Sequence, residues 1–219
     1  MKLWIFGQSM STSHKVKEHQ GWPALLANRL SIDYVTFAQP GADNFYIYST
    51  FLENSANIAE DDIVVVGWSH PNRKSFVLDH NNNAHQTVLD QSLVYKTSSR
   101  EFFRSNNPIP STQLKWSVLS PTRTQVDFYN TWFDNYYSRH EQDCNMQGYL
   151  DSTRMRCKGK YIPFYFSQES IANIHVQNNN FMLEYIVDHG VFISQDDLHL
   201  NQLGHQMWCD RLYNLIINI

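Results

Sequence analysis

Two short stretches, far apart in the chain, carry residues whose types and spacing could do chemistry: Gly7-Gln8-Ser9 near the start and Asp196-Asp197-Leu198-His199 near the end. Ser9 follows directly on the apolar run Lys2–Phe6, where a tight turn can present its hydroxyl at the carboxyl end of a strand. Asp196 stands three residues before His199, so it can fold back within one turn and accept a hydrogen bond from the imidazole Nδ1–H. That contact fixes the tautomer and leaves Nε2 to take a proton from a serine, which would make Ser9 a nucleophile. A serine in such a place also caps helices and closes turns, so Ser9 gains its chemical reading from these partners.

The neighbouring polar residues read differently. Asp197 adjoins Asp196 but lacks the three-residue spacing, and reads as a solvated or capping carboxylate. His205 lies six residues past His199, not the four that put two histidines on one helical face for zinc, so neither a metal nor another cofactor is expected. His70, Asn72 and Arg73 follow an apolar run and could enter the same cleft, Arg73 pairing with an anionic group of a substrate. The same residues equally suit a surface loop with a helix-capping Asn. Trp68 could stack on a sugar ring, although at 14% aromatic residues most rings must fill the core.

The elements that must position these groups alternate. Lys2–Phe6 and Asp62–Gly67 are uninterrupted apolar runs, as strands buried on both faces require. Between them, Trp22–Leu30 has helical spacing with Pro23 in its first turn, and Ile32–Ala38 reads as a strand stopped by Pro40-Gly41. Tyr48, Phe51, Leu52 and Ser55 then mark a second helix. Later come a helix from Val126 through Phe133 toward Met146, a strand at Tyr161–Phe166, a short helix at Phe181–Val187 and an amphipathic helix at Leu203–Ile217. Strand-helix alternation implies a parallel sheet covered on both faces by right-handed crossovers, with ligands at the carboxyl ends of the strands. Residues 75–120 show little period and read as an irregular insertion in one domain spanning 1–219.

Composition narrows the partners. A chain of 219 residues that is 42% hydrophobic can bury a sizeable core, and a net charge of −4 offers no field for nucleic acid or an anionic membrane. No run approaches the roughly 20 apolar residues of a membrane span. Three cysteines without a C-x-x-C pair and no export signal lead to a cytoplasmic expectation.

Ser after the first strand, Gly after the second and D-x-x-H before the last helix resemble the ordered blocks of the SGNH/GDSL hydrolases, across nearly the whole chain. The resemblance implies a flavodoxin-like three-layer α/β/α sandwich. It further implies a Ser9-His199-Asp196 triad, with the N–H groups of Ser9 and Gly41 in the oxyanion hole. Two positions depart from the family pattern: Gln8 replaces the Asp of Gly-Asp-Ser, and Ser69 replaces the Asn of Gly-x-Asn in Gly67-Trp68-Ser69. Asn44 or the Ser69 hydroxyl could supply the missing oxyanion donor, and Asn44 equally suits a helix N-cap. The implied activity is that of an esterase on a small ester or an acylated carbohydrate, such as an O-acetyl sugar. The two departures also suit a catalytically silent protein of the same fold that binds a ligand or another protein. Compact size and many asparagines and aromatics suit a viral or phage accessory protein.

Overall fold

The computed structural model describes residues 1–70, 73–74, 89–90, 138–168, 171, 173–176, 180–194 and 197–218. Most of the expected 75–120 insertion, and the start of the helix expected from Val126, lie outside these residues.

Four strands form the central sheet: β1 (Leu3–Gly7), β2 (Tyr34–Thr36) and β3 (Ile63–Trp68), with Lys160–Tyr165 added on the far edge. Two short strands, β4 (Arg73–Lys74) and β5 (Leu89–Asp90), pair antiparallel outside it, so the edge strand is β6. The sheet order is β2-β1-β3-β6 and every neighbouring pair is parallel. Pro163 lies within β6, where the missing N–H costs nothing if it faces the open edge. The helices are α1 (Trp22–Leu30), α2 (Asn44–Asn54), α3 (Arg139–Arg156), α4 (Met182–His189) and α5 (Gln202–Ile217).

Period-two alternation divides the strand residues between two cores. Leu3, Ile5, Ile63, Val65, Ile162 and Phe164 pack with residues of α1, α4 and α5, including Trp22 and Trp208. Trp4, Phe6, Val64, Val66 and Trp68 face the other way, onto residues of α2 and α3. The result is the three-layer α/β/α sandwich with a parallel sheet that the strand-helix alternation implies.

Local chemistry sets the ends of the elements. The Asp62 carboxylate, buried at the start of β3, accepts from Lys2 N at 2.7 Å, Trp4 Nε1 at 2.8 Å and Ala59 N at 3.0 Å, tying β1 to β3. Burial alone would raise its pKa, but these hydrogen bonds prevail and hold it below the usual carboxylate range. Asp43 caps α2 by accepting from Tyr46 N at 2.8 Å, and Asn201 caps α5 by accepting from Gly204 N at 2.8 Å. The N-cap role considered for Asn44 therefore falls to the residue before it.

The chain enters β2 on one side of β1 and returns through β3 on the other. In such a sheet the helices leave in opposite directions from the ends of the two central strands, opening a crevice there. Ser9 lies two residues past the end of β1, and Ser69 one past the end of β3.

Candidate active site

The nucleophile candidate sits in a 3-10 turn, Ser9–Ser11, that packs back over the strand ends. Gly7 of β1 and Gly67 of β3 are opposite each other in the sheet. A Cβ on Gly7 would lie 2.1 Å from Ser11 Oγ, and one on Gly67 would lie 2.3 Å from Ser11 Oγ and from Phe164 Cζ. Both glycines are needed because the turn comes too close for any side chain. Gln8 caps the turn: its Oε1 accepts from Met10 N at 3.3 Å and from Ser9 Oγ at 2.7 Å.

The far end of the chain meets this turn. A short hairpin of β7 (Phe192–Ser194) and β8 (Asp197–Leu200) precedes α5, and His199 Nε2 lies 2.9 Å from Ser9 Oγ. His199 Nδ1 lies 2.6 Å from Asp197 Oδ1, and the same oxygen accepts from His199 N at 3.2 Å. The carboxylate on the imidazole is thus Asp197 where the sequence reading expects Asp196, which lies outside the described residues. The D-x-x-H expectation assumes a turn, whereas residues 197–200 form a strand, and in a strand residues two apart share a face. Asp197 is neither solvated nor a cap. Its side chain is 16% exposed and its second oxygen pairs with Lys15 Nζ. The Lys15 hydrogen bond, helped by those from His199, outweighs burial and holds the carboxyl well below the usual range.

The contacts of several residues differ from their expected roles. Asn44 reaches across to Ser69, accepting from its N–H at 2.8 Å and donating to its carbonyl at 3.1 Å. Its Nδ2 also meets Met146 Sδ at 3.2 Å, so the amide protons are committed and Asn44 is corrected from an oxyanion donor to a clasp on the Ser69 backbone. Ser69 Oγ is buried and has no partner among the described residues. Trp68 is corrected from a substrate-stacking ring to a core residue: it is fully buried and its Nε1 donates to Tyr161 Oη at 3.1 Å. His70 meets Phe166 edge to face with centroids 6.1 Å apart, and the side chains of Asn72 and Arg73 lie outside the described set. Gly41 occupies the turn after β2 at φ +84°, a conformation natural to glycine.

Two residues with no sequence signal join the site from the loop after Ser9. The His14 ring lies over His199, centroids 4.1 Å apart and planes inclined by 33°, and Lys15 holds Asp197. His14, Asp197 and His199 bring metal-ligand atoms within 4.8 Å of one another. The Lys15 ammonium already pairs with the carboxylate and His199 Nδ1 and Nε2 already face Asp197 and Ser9, so among these contacts the set serves ion pairing and hydrogen bonding.

The sequence matches no protein-family model and no curated protein. Solved structures do resemble the fold. The esterase EstA of Pseudoalteromonas sp., in a structure inhibited by monoethylphosphonate, matches at 11% identity and TM-score 0.52 over 99% of this chain and 97% of that one. A member of the lipolytic G-D-S-L family from Veillonella parvula matches at 9% identity and TM-score 0.52 over 100% of both chains. TesA matches at 12% identity and TM-score 0.55 over 98% of this chain and 97% of that one. With the turn after β1 and the hairpin strand β8 bringing Ser9 and His199 together at the carboxyl end of the sheet, the chain has the fold of these esterase and G-D-S-L lipolytic structures.

Proposed function

We propose that the protein is a serine esterase in which Ser9, His199 and Asp197 act as the triad. The observation that carries this reading is the continuous chain Ser9 Oγ, His199 Nε2, His199 Nδ1, Asp197 Oδ1, with links of 2.9 Å across the first gap and 2.6 Å across the last. Ser9 Oγ attacks the ester carbonyl carbon while Nε2 accepts its proton, and Asp197 stabilises the imidazolium. The tetrahedral intermediate collapses, the alcohol leaves with the proton from His199, and water repeats the sequence on the acyl-enzyme to release the acid.

The oxyanion falls to three donors. Among the described residues, the turn after β1 uses the N–H groups of Met10, Ser11 and Thr12 but not that of Ser9, and the turn at Gln39–Ala42 uses that of Ala42 but not that of Gly41. With Asn44 committed elsewhere, Ser69 Oγ is the third donor in our reading, a hydroxyl in place of an amide. The contact of Ser9 with His199 and the likeness to the EstA fold support an ester as substrate, which in our reading is a small ester or an acylated sugar. In the same reading the whole chain is one catalytic domain in a cytoplasmic setting.

One observation favours a second reading, a silent binding protein of the same fold. The single Ser9 proton has two acceptors, Gln8 Oε1 at 2.7 Å and His199 Nε2 at 2.9 Å, and in the former arrangement the base is not engaged. Labelling with a fluorophosphonate, together with p-nitrophenyl acetate turnover, separates the two. The esterase labels, and Ser9→Ala and His199→Ala abolish both signals; a folded wild type that neither labels nor turns over supports the binding protein instead.

A further inference from the structure

The loop between Ser9 and α1 does more than connect them. It is pinned at its start by Thr12 Oγ1 donating to Ser9 O at 2.7 Å and at its end by Ser13 Oγ donating to Glu18 O at 3.1 Å. Between these anchors Val16 N donates to Ser13 O at 3.2 Å, closing a turn with His14 and Lys15 at its centre. Lys15 takes φ +57°, at a turn position where Gly or Asn is the usual occupant. A side chain held in that backbone conformation calls for a compensating contact, and the contact found is the ion pair with Asp197. The same turn lays the His14 ring on His199.

We propose that Lys15 is a positioning residue of the site: its ammonium holds Oδ2 of Asp197 so that Oδ1 faces His199 Nδ1, and its charge lowers the basicity of the His199 imidazole. The proposal rests on the triad reading above and adds a fourth, cationic member to it. Chemically, a carboxylate shared with an ammonium stabilises an imidazolium less than one that faces the imidazole alone. His199 therefore stays neutral, and able to take the Ser9 proton, to lower pH than it would beside Asp197 alone. Among the described residues, the charged or titratable groups facing His199 include Asp197 on its own strand, His14 and Lys15 from the loop, and His205 from α5.

The test is an NMR titration of the His199 ring nitrogens, run beside the pH dependence of fluorophosphonate labelling, in wild type, Lys15→Met, Lys15→Gly and Lys15→Arg. Lys15→Gly removes the ammonium while relaxing the positive φ, so it remains informative if Lys15→Met folds poorly. Loss of the cation should raise the His199 pKa by about half a unit to one unit, moving the acidic limb of labelling up equally. Lys15→Arg should restore both, and the difference should shrink in 1 M salt, where screening acts over about 3 Å. An unchanged His199 pKa in Lys15→Met and Lys15→Gly, or a Lys15→Arg that behaves like Lys15→Met, overturns the proposal. A wild type that never labels while its His199 pKa still responds to Lys15 sinks the esterase reading and leaves the charge coupling standing.

Discussion

Asp197 and His199 are two residues apart on a strand, and that periodicity decides which of two adjacent aspartates meets the imidazole. Replacing the carboxylate by an amide keeps the shape but no longer favours the tautomer that frees Nε2. Asp197→Asn should therefore lower kcat on the order of 10⁴-fold with little change in KM, whereas Asp196→Asn should stay close to wild type. Steady-state kinetics on p-nitrophenyl acetate compare them, and the reverse ranking would restore Asp196 to the triad. Ser9 and His199 were legible because each stands at a punctuated place, a Gly-turn after an apolar run and the threshold of an amphipathic helix. The carboxylate was not, because Asp-Asp offers two candidates and only the hairpin of β7 and β8 sets their phase. Lys15 and His14 were invisible for a related reason: nothing in the sequence ties them to residues some 180 positions later.

The strands and helices next to the site carry burdens their sequences only half reveal. Strand β3 was readable from its β-branched run, and α1 agrees with its expected span, Trp22–Leu30, because Pro23 and Ser31 bound it. The function of Asn44 was not readable, since an Asn beside an Asp before a helix looks like a cap; here Asp43 caps and Asn44 clasps the Ser69 backbone. Asn44→Ala strands a buried N–H and C=O and should cost about 2–3 kcal/mol in urea unfolding, with activity falling because Ser69 loses its place. A stability equal to wild type would show that the clasp is not needed. At the ends of β1 and β3 the glycines answer to Ser11. Gly7→Ala should destabilise by about 1–3 kcal/mol through overpacking, and adding Ser11→Gly should recover much of that loss. Additive losses in the double variant would mean that the added methyl collides with something other than Ser11.

Over the whole molecule, the stability should respond to pH through groups that the fold holds in one charge state. Asp62 and Asp197 have folded pKa values below the ordinary one, so their contribution is complete above about pH 4 and fades as pH falls through the folded values. His205 acts in a higher window. It is 2% exposed, and Nδ1 accepts from Trp22 N, the first residue of α1, at 3.2 Å. Burial, helped by the neighbouring His14 and His199, pushes its pKa down to about 4. In the unfolded chain the same ring titrates near pH 6.5. Between those values the unfolded state binds the extra proton, so stability is whole above pH 6.5 and declines as pH falls toward 4. A shift of that size corresponds to on the order of 3 kcal/mol between pH 7 and pH 4. Trp22 N would also lose its acceptor on protonation, so α1 and α5, which meet across this contact, should loosen together. His205→Gln, neutral throughout, should be less stable than wild type at pH 7 yet lose less between pH 7 and pH 4.5. Urea unfolding at the two pH values checks this, and equal losses in both proteins would place the acid sensitivity elsewhere.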